Sequence, residues 1–112
     1  MNIHLQDNGS YLVLGLTGRL DALSAPDFEE EARKLLEQGV TRVLLDLSKL
    51  EFVSSAGLRS ILSLAKGLKA VAGSICFVAV RKDVLEVFTF SGFTGMFAFH
   101  ETLEEAVKAL GG

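Results

Sequence analysis

The chain has 112 residues, of which 14 are acidic and 11 basic for a net charge of −3; 49% are hydrophobic and one is cysteine. That length makes one domain, residues 1–112, able to bury about two-thirds of its unfolded surface. No run of apolar residues reaches the ~18 needed to span a bilayer, and no Lys/Arg cluster is present to grip a nucleic-acid backbone.

The opening Met1-Asn2-Ile3-His4-Leu5 has no basic stretch followed by an apolar one, so a cytoplasmic location is expected. Residues 4–16 read as two strands around the Asp7-Asn8-Gly9 turn, a hairpin signal. Ser24-Ala25-Pro26-Asp27 supplies a cap serine, an early proline and a first-turn carboxylate. Phe28, Ala32, Leu35 and Leu36 then recur at helical spacing, and Gly39 closes that helix. The acidic run Asp27-Phe28-Glu29-Glu30-Glu31 suits a solvated first turn.

Thr41 to Leu47 is too short for a helix and apolar on both faces, as a central strand is, and Ser48-Lys49-Leu50-Glu51 reads as a loop. From Ser55 to Ala72 a stripe of Leu58, Ile61, Leu62, Ala65, Leu68 and Val71 or Ala72 predicts a long helix stopped by Gly73. Arg59, Lys66 and Lys69 fall on its solvated side.

A buried strand is predicted over Ser74–Val80, where the lone Cys76 packs as a small hydrophobe. A short helix over Asp83–Phe90 ends at Ser91-Gly92, and a strand spans Met96–His100. Thr102-Leu103-Glu104-Glu105 has the capping-box pattern of a last helix through Leu110. Phe88, Phe90, Phe93, Phe97 and Phe99 are core candidates. His4 and His100 are far apart and lack a metal-ligand spacing, so no metal is expected.

The resulting order, β-β-α-β-α-β-α-β-α, implies an α/β fold: a mixed, mostly parallel sheet with an opening hairpin and about four helices. Its second face needs a cover: an opening strand, a helix or another chain.

Chemistry concentrates where the strand at Val43–Leu47 leads towards the long helix. Ser54 and Ser55 fall where the first helical amides lack intrahelical partners and the dipole favours an anion. Asp21, in Gly18-Arg19-Leu20-Asp21, and Asp46 are expected at one rim of the sheet. Their plain structural roles are a cap or turn for Asp21, a strand end for Asp46 and an N-cap for Ser54.

Three segments resemble the STAS family, especially bacterial anti-sigma factor antagonists: Gly18-Arg19-Leu20-Asp21, Asp46-Leu47-Ser48-Lys49-Leu50, and Phe52-Val53-Ser54-Ser55-Ala56-Gly57-Leu58. The resemblance covers almost the whole chain, in matching order and spacing. In the family's commoner Asp-Ser-Ser-Gly-Leu loop the first serine after the aspartate is phosphorylated, and that position maps to Ser55. Here Ser54 replaces the aspartate and Ala56 the second serine, which removes a carboxylate and leaves Ser54 as a competing acceptor.

The resemblance implies partner switching. The unmodified chain binds an anti-sigma factor with serine kinase activity, phosphorylation of Ser55 releases it, and a serine phosphatase resets it. Such a chain is not an enzyme and needs no cofactor, since ATP belongs to the partner. Other STAS roles are a scaffold or an accessory subunit of a lipid-transport machine. A nucleotide-binding module at the same helix terminus, or an enzyme using Asp21 and Asp46 as acid and base, are further alternatives.

Overall fold

The hairpin expected at Asp7-Asn8-Gly9 forms in the computed structural model, which describes residues 1–110. Strand β1 (Asn2–Asp7) pairs antiparallel with β2 (Leu12–Leu20). The Asp7 carboxylate accepts the Gly9 amide at 2.8 Å, and Gly9 sits at φ +85°, a conformation that glycine adopts without Cβ strain.

Then follow α1 (Ala25–Glu37), β3 (Arg42–Val53), α2 (Ser55–Ala70), β4 (Ser74–Val78), α3 (Lys82–Phe90), a 3-10 turn (Thr94–Met96), β5 (Ala98–His100) and α4 (Leu103–Ala109). Strands β2 to β5 run parallel, and spatial order follows chain order, β1-β2-β3-β4-β5. The described residues therefore make a mixed, mostly parallel sheet with an opening hairpin and four α-helices, in the expected sequence.

Each parallel connection steps one strand in the same direction, so right-handed crossovers put α1, α2 and α3 on one face. There Phe28 of α1, Ile61 and Leu64 of α2, and Phe88 of α3 pack with Leu14, Leu45 and Phe77 of the sheet. The opposite face of the central strands, Val13, Leu44, Cys76 and Val78, is covered by α4 through Ala106, flanked by Leu103, Val107 and Leu110. A helix of this chain is thus the missing cover. Thr102 caps it, its hydroxyl accepting the Glu105 amide at 3.1 Å.

Several boundaries differ from the sequence expectation. Ser48–Glu51 is not a loop, because β3 runs on to Val53. Its register with β2 shifts between Gly15 and Thr17 and again between Gly18 and Arg19. Each shift inserts an extra residue into β3, so Leu47, Leu50 and Val53 are all buried at a spacing of three. A strand bulged twice loses the alternation by which strands are recognised.

Helix α2 buries Leu58, Ile61, Leu64 and Leu68, whereas Leu62 and Ala65 are only half-buried. It ends at Ala70, short of Ala72, because Ala72 turns left-handed at φ +58°. The Ala72 amide then reaches the Lys69 carbonyl at 3.1 Å and the Gly73 amide the Leu68 carbonyl at 2.7 Å, a Schellman end.

Strand β4 stops at Val78 rather than Val80, with Ala79 at φ +55°. The Met96–His100 segment yields only three strand residues, since Thr94–Met96 winds into the 3-10 turn. Phe88, Phe97 and Phe99 surround Phe77 with ring centroids 5.2, 5.0 and 5.1 Å away. Phe93 is half-buried, and Phe90 is no core residue at 87% exposure.

Candidate functional site at the entry to helix α2

Val53 is buried at the end of β3, and the chain turns at Ser54 directly into α2. The Ser54 backbone is extended (φ −90°, ψ 173°), and its hydroxyl accepts the Gly57 amide at 3.1 Å, a side-chain N-cap. The Ser54 amide donates to the Leu20 carbonyl at 2.9 Å, which ties the start of α2 to the end of β2. Gly57 permits this approach: a Cβ there would lie 2.3 Å from the Leu20 carbonyl oxygen.

Ser55 is therefore the first residue of a 16-residue helix, exposed, with no hydroxyl hydrogen bond among the described residues. Ala56 beside it is half-buried. The half-buried Ser54 hydroxyl is engaged by its cap, so of the two serines Ser55 is the accessible one. Asp and Ser cap helices equally well. Ser54 thus holds the cap without a negative charge beside Ser55.

Asp21 lies across the β2 rim from this entry, one residue after Leu20, whose carbonyl holds Ser54. Its Oδ1 accepts the Leu23 amide at 3.1 Å and the Ser24 amide at 3.2 Å, and at 3.3 Å it takes the weaker share of the one Ser24 hydroxyl proton, whose nearer acceptor is the Arg19 carbonyl. The Ser24 amide first, then the Leu23 amide, the Ser24 hydroxyl and nearby Arg19, hold this carboxyl below its ordinary range against partial desolvation. Asp21 is a turn residue whose Oδ1 takes these bonds, while its Oδ2 faces the Arg19 Nε at 3.9 Å.

Two features of this rim are set by the folded turn rather than by the local sequence. Ser24 stands at the α1 cap position without capping it; its hydroxyl instead donates to the Arg19 carbonyl at 2.8 Å and accepts the Asp21 amide at 2.9 Å. The Arg19 guanidinium lies 4.1 Å from the ring centroid of Phe52, on the bulged part of β3. Leu23 projects beside them at 91% exposure.

Asp46 does not share this rim. It sits within β3 opposite Gly15 of β2, seven residues before the strand ends at Val53, and its carboxylate accepts the Ser48 amide at 3.0 Å. With His4, Gln6, Thr17 and Lys49 it lines a shallow depression on the sheet face that α4 leaves uncovered. The expected acid–base pairing of Asp21 with Asp46 is therefore not assembled. Among the described residues no group of three His, Cys, Asp or Glu is placed to hold a metal ion, and no helix is long and apolar enough to cross a membrane.

Residues 2–106 match the STAS domain family, and the chain belongs to it. A Bordetella bronchiseptica relative, BtrV, provisionally named an anti-sigma factor antagonist, is 34% identical over 109 residues, which cover 97% of this chain and 94% of that one. The Bacillus cell fate determinant SpoIIAA in its phosphorylated form is similar with a TM-score of 0.79 and 27% identity, over 97% of this chain and 99% of that one. A Thermotoga maritima structure named in the same provisional way has a TM-score of 0.91 at 19% identity, over 96% of this chain and 92% of that one, a likeness of fold.

Proposed function

We propose that this chain is a cytoplasmic anti-sigma factor antagonist that works by partner switching. Unmodified, it binds an anti-sigma factor with serine kinase activity through the surface around the α2 entry. The kinase passes the γ-phosphoryl group of its ATP to the Ser55 oxygen, the hydroxyl proton leaves, and ADP remains with the partner. A serine phosphatase later hydrolyses the ester: water takes up the phosphoryl group, inorganic phosphate leaves, and the Ser55 hydroxyl is restored.

The observation that carries this reading is the exposed Ser55 hydroxyl at the first position of α2, next to a serine already engaged as cap. Phosphate adds a charge of about −1.5 to −2 where the helix dipole and the first-turn amides tolerate an anion, so the fold is kept. A partner docked on the same spot meets a new charge and a tetrahedral group. Loss of about 2.7 kcal/mol by repulsion and displacement lowers affinity a hundredfold.

The test is phosphate occupancy at Ser54 and Ser55, measured by peptide mapping of the protein isolated from its own cells under contrasting growth and stress conditions. Condition-dependent phosphate confined to Ser55 is expected. Phosphate at neither serine under any condition would replace the switch with a constitutive scaffold or transport subunit.

A further inference from the structure

We propose that the groove between α2 and the segment joining α3 to β5 docks an acidic amphipathic helix of a protein partner. The groove has a volume of about 740 Å³. Its apolar lining comes from Leu62 and Ala65 of α2, Ile75 of β4, and Phe93, Met96 and Phe97, and Met96 is left 67% exposed. The charged residues along it are Arg59, Lys66 and Lys69, all basic, in a chain with more acids than bases. None of the three forms an ion pair among the described residues.

The spacing of those cations selects the occupant. Arg59 and Lys69 are ten residues apart on one helix, a rise of about 15 Å. A single anionic headgroup is too small to meet the whole row. A helix laid in the groove meets it with carboxylates about one heptad and then one turn apart, while its apolar stripe covers the floor. A concave floor does not lie on a flat bilayer. The chain's own acidic helix cannot serve in a second copy, because the apolar residues of α1 (Phe28, Ala32 and Leu35) are already buried in the core.

Arg59 also stands one helical turn after Ser55, so the groove begins beside the proposed phosphorylation site. Phosphate on Ser55 would compete for Arg59 and repel an acidic helix, which supplies the repulsion invoked for release. That link rests on the phosphorylation reading; the docking itself does not.

The test places a photoreactive benzophenone amino acid at Met96 of the full chain in its own cells, with the same residue at Gln6, on β1, as control. The expected cross-link is to one protein segment with net negative charge and apolar residues at helical spacing. Its synthetic peptide should bind the purified chain, and Lys66→Glu with Lys69→Glu should weaken that binding at least tenfold while the circular dichroism spectrum stays unchanged. A cross-link to a second copy, to lipid, or to a segment without that pattern overturns the proposal. So does a yield no greater than at Gln6, or an affinity indifferent to the charge reversal. Groove binding with Ser55 never phosphorylated sinks the phosphoswitch alone, and Ser55 phosphate with an empty groove sinks the docking alone.

Discussion

At the entries to α1 and α2 the chain leaves a strand through a serine, Ser24 in one case and Ser54 in the other. Ser54 is extended and its hydroxyl caps the helix ahead. Ser24 has helical backbone angles (φ −97°, ψ −18°), and its hydroxyl reaches backwards to Arg19 and Asp21. At α1 the polar groups are used up in bracing a turn, with Pro26 at the start of the helix. At α2 one serine does the bracing and leaves its neighbour exposed to solvent. A modifiable hydroxyl at a helix start thus needs a second residue to carry the structural load.

That contrast can be broken most severely at Gly57. Gly57→Ala drives a Cβ to within 2.3 Å of the Leu20 carbonyl oxygen, and urea unfolding should show a loss of about 3 kcal/mol. Gly67→Ala is the control: there the nearest atom is a terminal carbon of Leu36 at 2.6 Å, which can turn aside, so the loss should stay below about 1 kcal/mol. Ser24→Ala removes a hydroxyl that both donates and accepts, and should cost about 1.5–2 kcal/mol in the same assay.

Ser54→Ala should cost about 1 kcal/mol, and Ser54→Asp should restore it. Ser55→Ala should leave stability within about 0.5 kcal/mol of the parent, while abolishing the phosphorylation-driven release of the chain from its partner; a large destabilisation would make Ser55 structural. The mildest effect is expected in acid. The folded Asp21 carboxyl lies below its ordinary value of 3.8, so its stabilisation is complete above that pH and fades as the pH falls through the folded value. Acid titration of Asp21→Asn should show a flatter loss of stability over that range.

The element order, the opening hairpin and the entry to α2 were legible because they rest on local signals: Asn8-Gly9, the serine at a helix start and the apolar stripe led by Leu58 and Ile61. What stayed hidden depends on contacts between distant segments. The second half of β3 looked like a loop because two bulges against β2 break its alternation. Asp46 reads as a strand terminator for the same reason, whereas it lies mid-strand, opposite Gly15, and not at the rim.

Ser24 met every local criterion for a cap, and only the folded turn shows its hydroxyl bound elsewhere. Phe90 and Phe88 share a helix and a chemistry, yet only Phe88 faces the sheet. At the site itself, Ser55 is legible from the sequence, but the close approach to Leu20 that requires Gly57 depends on the end of a distant strand.

The agreement of strand order with chain order also bears on how the molecule is made. Every new strand joins beside the one before it, across a connection of one helix or one hairpin loop, so each pairing closes a short stretch of chain. No strand has to be inserted between two that are already paired. The sheet can grow from one edge in the direction in which the ribosome delivers it, and it never has to be reopened to be completed.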